Sequence, residues 1–120
     1  MPVIKRFEDV EAWKRARVLT VNVYKATSSG PWAKDFGLRD QIRRASVSVM
    51  SNIAEGFARR GDNEFHRFLA IACGSSAEVK CQLYIGLDLG YISQDVFDRL
   101  SDGADEVSRL LTGFMQYLKK

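Results

Sequence analysis

At 120 residues, with 46% hydrophobic and 28% charged side chains, the chain has the composition of one folded domain and not of a disordered segment. No apolar run approaches the roughly 20 residues that cross a bilayer, and MPVIKRFEDVEAWKR offers no segment suited to a secretory signal, so a cytoplasmic protein is expected. The net charge of +3 divides into +6 over residues 1–60 (12 Lys/Arg, 6 Asp/Glu) and −3 over residues 61–120 (6 against 9), which fits a basic binding face or an acidic helix packed beside a basic one.

The apolar spacing predicts a first helix over about residues 8–27. Ala12, Trp13, Ala16, Leu19, Thr20, Val23, Tyr24 and Thr27 fall on one stripe, and Glu8, Asp9 and Glu11 suit the positive end of its dipole. Ser28-Ser29-Gly30-Pro31 stops it, because proline biases the residue before it away from helical geometry. Trp32 to Asp35 reads as a connector. A second helix follows over about 36–57, with Leu38, Ile42, Ala45, Val49, Ile53 and Gly56 as its main stripe. Gly61 suits a left-handed position closing that helix, and Asp62 suits an N-cap. The third helix is expected over about 63–89 on a stripe of Phe65, Phe68, Leu69, Ala72, Ser76, Val79, Leu83 and Leu87, closed by Gly90. Ser93 caps the fourth, over about 94–118, with a seam of Phe97, Leu100, Ala104, Val107, Leu111, Phe114 and Leu118. There is no strand-like alternation. Long helices with short connections give an all-α, up-down four-helix bundle occupying residues 1–120 as a single domain.

Two windows, residues 45–54 and 68–77, carry no formal charge. Such windows suggest helices covered on more than one side. Ser46, Val47, Met50, Ala54 and Phe57 form a second stripe on the second helix that needs another partner, so copies of the chain are expected to associate.

Residues suited to catalysis are scarce. His66 is the single histidine, which excludes two-histidine metal motifs. The serines lack a histidine–aspartate arrangement, and the glycines near residue 60 lack the spacing of a phosphate-cradling loop. Cys73 and Cys81, eight residues apart on one helix, lie roughly 12 Å apart, too far for a disulfide. Glu55 and Glu78 flank the charge-free windows, with Asn52 one turn before Glu55. They read as partners of Arg43 or Arg44 in buried or interfacial ion pairs, or as metal or catalytic carboxylates. The best functional candidates are basic: Lys14, Arg15 and Arg17 on the first helix, Arg39, Arg43 and Arg44 on the second, and Arg59 and Arg60 in the turn after it. Arginine forks match phosphate geometry. Aromatic residues for base stacking do not obviously interleave with these cations, which favours recognition of backbone or shape.

The segment FGLRDQIRRASVSVMSNIAEGFARRGDNEFHRFLAIACGSSAE, with FEDVEAWKRARVLTVNVYK before it and LGYIS after it, resembles the four-helix-bundle family named after proteins encoded in intervening sequences of bacterial 23S ribosomal RNA genes. The accessory protein of diversity-generating retroelements is similar. The likeness rests on Gln-Ile-Arg-Arg-Ala at 41–45, Asn-Ile-Ala-Glu-Gly at 52–56, and the pattern from Glu64-Phe65 through Gly74-Ser75 to Glu78. It implies a four-helix protomer, a ring-like homopentamer with basic surface, and association with RNA or a nucleic-acid-handling protein; it brings no catalytic residues and no cofactor. Arg43, Arg44, Asn52, Glu55, Arg59, Ser75 and Glu78 fall on its motif positions. The sequence departs from the usual pattern at Met50, where many relatives have proline, and at Val79-Lys80-Cys81. The expectation is therefore a non-enzymatic oligomer that binds structured RNA or DNA through repeated basic surfaces. The alternative is a ring-shaped adaptor for an enzyme such as a reverse transcriptase. Neither involves a membrane.

Overall fold

The computed structural model describes residues 3–119, and in them the chain forms five α-helices and no strand. A 3₁₀ turn at Phe7–Asp9 leads into α1, Glu11–Ala26. Of the acidic residues expected at the start of the first helix, Glu8 and Asp9 thus lie in a separate turn and Glu11 opens α1. Val10, fully buried, pins the junction to the core. Gly30, at φ +68°, turns the chain, and Pro31 opens a short helix α2, Gly30–Lys34, where a connector was expected. Proline suits that place because its missing N–H is unpaired in any first turn.

α3 spans Phe36–Ala58 and runs unbroken through Met50. Asp35 caps it, its side chain accepting from the Leu38 amide at 3.2 Å. α4 spans Asp62–Asp88 and α5 spans Gln94–Leu118, the latter capped by Ser93, which accepts from Val96 N. The turn between α3 and α4 departs from the expectation. Arg60 (φ +61°) takes the left-handed position, and Gly61 is the extended N-cap of α4 with Asp62 already helical. The cap has to be extended, so the turn falls on the residue before it. Gly90, at φ +73°, closes α4 as anticipated.

The four long helices form a closed square in which α1 packs on α3, α3 on α4, α4 on α5, and α5 back on α1. Each neighbouring pair is antiparallel. Ser48 meets Ser75 and Gln41 meets Gln82 across α3/α4, while Ser76 meets Ser108 and Tyr84 meets Phe97 across α4/α5. The Cα extents are 45 × 22 × 19 Å. The predicted stripes are the core: Ile42, Val49, Ile53, Leu69, Ala72, Val79, Leu83, Val107 and Leu111 are each fully buried. Trp32 joins them from α2 at 0% exposure. It does so by lying against α4 at Gly86, where a Cβ would come within 2.4 Å of the indole. One end of the bundle is thereby closed by an aromatic plug that no periodicity announces.

A candidate nucleic-acid interface

Of the eight predicted cations, Arg43 and Arg39 lie on α3 at its groove with α1 and α2, while Lys14 and Arg17 lie on the outer side of α1. Arg43 crosses the groove: Nε donates to Thr27 Oγ1 at 2.8 Å, and the guanidinium lies 4.5 Å from the centre of the Tyr24 ring. Its Nη2 also reaches the Tyr24 carbonyl and Ser28 Oγ, each at 3.4 Å. Arg39, one turn earlier, donates to the Ala33 carbonyl at 3.0 Å and covers the Phe36 ring. Nearer the other end of α1, Lys14 and Arg17 line an open depression on its outer side. Thirteen residues of α1 separate Lys14 from Thr27, the level of Arg43, so these cations span roughly 20 Å, about six base-pair steps.

The remaining four sit elsewhere. Arg15 faces α5, where Glu106 approaches it to 3.8 Å. Arg44 lies three residues after Gln41 and four before Ser48, both of which meet α4, and so belongs to the α3/α4 side. Arg59 lies over Phe68 of α4 and pairs with Glu55 at 3.1 Å. Arg60 lines a cavity at the end of the bundle with Lys5, Phe57 and Phe114. The structure thus divides the predicted cations among the α1/α3 groove, the outer side of α1, the seams with α5 and α4, and one end of the bundle. Among the described residues, Arg15, Arg39 and Arg59 have a carboxylate within 4.0 Å, whereas Lys14, Arg17, Arg43, Arg44 and Arg60 do not. Arg67, which the sequence reading did not single out, also covers the Phe68 ring, and Glu64 holds it at 3.0 Å. That hydrogen bond lowers the Glu64 carboxyl below its ordinary range.

Two expectations are overturned. Aromatic rings do interleave with the cations: Arg17, Arg39, Arg43 and Arg59 each lie over a ring, at 5.7, 4.8, 4.5 and 5.1 Å from its centre. Two of these pairs, Trp13–Arg17 and Phe36–Arg39, have the three- or four-residue spacing of helix neighbours and were readable. The other two cross between helices. The carboxylates are also misplaced by the sequence reading. Glu55 and Glu78 are both exposed; Glu55 pairs with Arg59, and Glu78 accepts from Gln82 Nε2 at 3.4 Å, neither meeting Arg43 or Arg44. The seam beside them is an uncharged polar ladder. Ser48 and Ser75 hydroxyls bond at 2.9 Å, and Asn52 Nδ2 donates to the Ser48 carbonyl at 2.8 Å and to its hydroxyl at 3.0 Å.

The surplus apolar face is smaller on α3 than expected and larger on α1. Of the second stripe, Ser46 is fully buried and donates to the Arg43 carbonyl; Met50, Ala54 and Phe57 are half-buried, and Val47 alone is exposed, at 39%. Val18 and Val21, on the outer side of α1, have exposures of 55% and 47%. On the outer face of α4, Ile71 and Ile85 are each 42% exposed.

A sequence profile described as 23S rRNA-intervening sequence protein matches residues 8–113. The chain belongs to that family. Among solved structures it is similar to a protein of unknown function from the S23 ribosomal protein family of Bacteroides thetaiotaomicron. The TM-score is 0.79 at 21% identity, covering 87% of this chain and 97% of that one, so the likeness carries the fold alone. No curated protein matches significantly. Met50 leaves the axis of α3 continuous in this member of the intervening-sequence family. Among the described residues no group of three or more His, Cys, Asp or Glu is placed to hold a metal, and no helix is long and apolar enough to cross a membrane. His66 is half-buried in the first turn of α4, Cys81 is exposed, and burial pushes the half-buried Cys73 thiol above its ordinary pKa.

Proposed function

We propose that this protein is a non-enzymatic scaffold that gathers into a ring of like copies and binds structured nucleic acid by its phosphates. The observation that carries the reading is that five of the eight predicted cations, Lys14, Arg17, Arg43, Arg44 and Arg60, have no carboxylate within 4.0 Å among the described residues, in the half of the chain that carries a net +6. Phosphate contacts supply most of the affinity of such a surface and little sequence preference. Val47, 39% exposed on the same α3 stripe as the half-buried Met50, Ala54 and Phe57, favours contact with a neighbouring copy, which would multiply the basic surface.

The test is a salt titration of duplex RNA binding. Five cations neutralising five phosphates give a slope of about −4.5 in log affinity against log salt, or roughly a 500-fold loss between 50 and 200 mM. More engaged protomers steepen it. The variant with Lys14, Arg17, Arg44 and Arg60 all changed to Glu is expected to lose binding at 50 mM. Binding that ignores salt, or that survives this variant, contradicts the reading. A second reading, an adaptor for an enzyme such as a reverse transcriptase, is favoured by Ile71, Ile85 and Leu89 exposed on the outer side of α4. It predicts partner binding that the four-residue variant leaves intact.

A further inference from the structure

On the outer side of α1 lies an open depression of about 600 Å³, of the size that holds a small planar ligand. Its wall is the half-buried indole of Trp13, held edge-on by Phe7 with ring centres 5.1 Å apart and planes at 70°. Arg17 lies over the indole, with Lys14, Arg6 and Asn22 around it and Val21 at its far side. Three features of this arrangement suit a nucleobase. First, Arg17 sits 5.7 Å from the ring centre, near the ~6 Å limit of a cation–π contact, so it can yield the indole face to a flat ring at little cost. Second, Lys14 and Arg17 have no carboxylate partner among the described residues, whereas Arg6 is paired with Glu8, which also lines the depression, at 3.6 Å and with Asp9 at 3.8 Å. A phosphate on either side of the base would therefore find free cations. Third, Asn22 supplies an exposed amide that can donate to and accept from a base edge.

We propose that this depression takes one unstacked base of a single-stranded nucleic acid, stacked on Trp13, with its flanking phosphates on Lys14 and Arg17. The inference rests on the nucleic-acid reading above and deepens it. Loops and bulges of a structured RNA present bases of this kind, whereas the interior of a duplex does not. The wall also fixes the specificity to be expected. Stacking accepts any base, so preference among sequences is weak.

The two tryptophans make the site testable in the intact 120-residue chain, because Trp32 is 0% exposed and Trp13 lines the depression. A labelled oligouridylate and an RNA duplex of equal length are titrated at 50 mM salt, reading strand anisotropy and tryptophan emission together. The single strand is expected to bind and quench emission, while the duplex binds without quenching. Trp13→Phe is expected to abolish the quench and keep part of the affinity. Trp13→Ala is expected to lower single-strand affinity about 5- to 150-fold with helicity unchanged by circular dichroism. Should the alanine variant lose helicity, the phenylalanine variant still decides. Anisotropy showing single-strand binding with emission unchanged, or with Trp13→Phe quenched as fully as the parent, overturns the site and leaves the broader reading standing. If neither strand nor duplex binds, both fall.

Discussion

Arg43 and Arg44 are adjacent arginines of which only the first also ties two helices together, and removing each in turn separates architecture from binding. Arg43 ties α3 to the last turn of α1, where carbonyl groups lack helical partners. Its Nε–H donates to the buried Thr27 hydroxyl at 2.8 Å, and its charge lies over Tyr24. A charged hydrogen bond in a half-buried groove contributes about 1 kcal/mol after solvent competition. A cation at a helix C-terminus adds about 0.5 kcal/mol, and an exposed cation–π contact about 0.5 kcal/mol more. Arg43→Ala therefore costs about 2 kcal/mol. For a chain of 120 residues the unfolding entropy is roughly 250 cal/mol/K, so the melting midpoint drops by about 8 °C. Arg44 is exposed and has no described partner, so Arg44→Ala stays within about 0.5 kcal/mol. Thermal melts by circular dichroism at one fixed protein concentration read both, since assembly makes the midpoint concentration-dependent. A double-mutant cycle with Thr27→Val isolates the pair, with a coupling of about 1 kcal/mol expected. Equal shifts for the two arginines, or a zero coupling, refute this division of labour.

Glycine substitutions test the packing of α2 on α4. Gly86→Ala places a methyl 2.4 to 2.5 Å from Trp32 ring carbons, and the overpacking of about 1–3 kcal/mol outweighs a helix-propensity gain of about 1 kcal/mol. Gly113→Ala on α5 meets nothing within 4 Å and is expected to stabilise by up to about 1 kcal/mol; urea midpoints moving in the same direction for both would contradict this. Tyr91 donates its hydroxyl to Asp35 Oδ2 at 2.9 Å, and that bond raises the phenol pKa above its ordinary value. The unfolded chain then loses this proton first, so the contribution is full below about pH 10 and is lost as pH rises through the raised value. Alkaline titration followed by phenolate absorbance should show one late tyrosine that Tyr91→Phe removes. A late step that persists in the variant assigns it elsewhere.

What the residues disclosed follows from where periodicity carries information. Ile42, Val49 and Ile53, or Leu69, Ala72 and Val79, announce a buried stripe because a helix repeats its faces. The same arithmetic turns Glu55 some 220° from Ile42, away from the core, and so foretold its exposure had it been applied to charges as well as to apolar residues. Trp32 was illegible for a different reason. One aromatic between Pro31 and Asp35 has no period, and its burial depends on Gly86, more than fifty residues later. The turn at Arg60 and Gly61 was misplaced by a single residue, since glycine satisfies two rules there and the extended cap prevailed. For the basic surface, sequence supplied the residue types but not their faces. Arg15 and Arg44 scatter because neighbouring helix positions differ by about 100°, and Arg60 because it sits in the left-handed turn between α3 and α4. The pairing of Arg43 with Tyr24 arises only when α1 and α3 meet.

The measurement that bears most directly on the whole account is the mass of the purified protein in solution, with and without RNA, at 50 and 200 mM salt. The account predicts a species several times the 13.6 kDa protomer at micromolar concentration, which carries RNA at the lower salt and releases it at the higher. A single 13.6 kDa chain that takes up no RNA at either salt would contradict it.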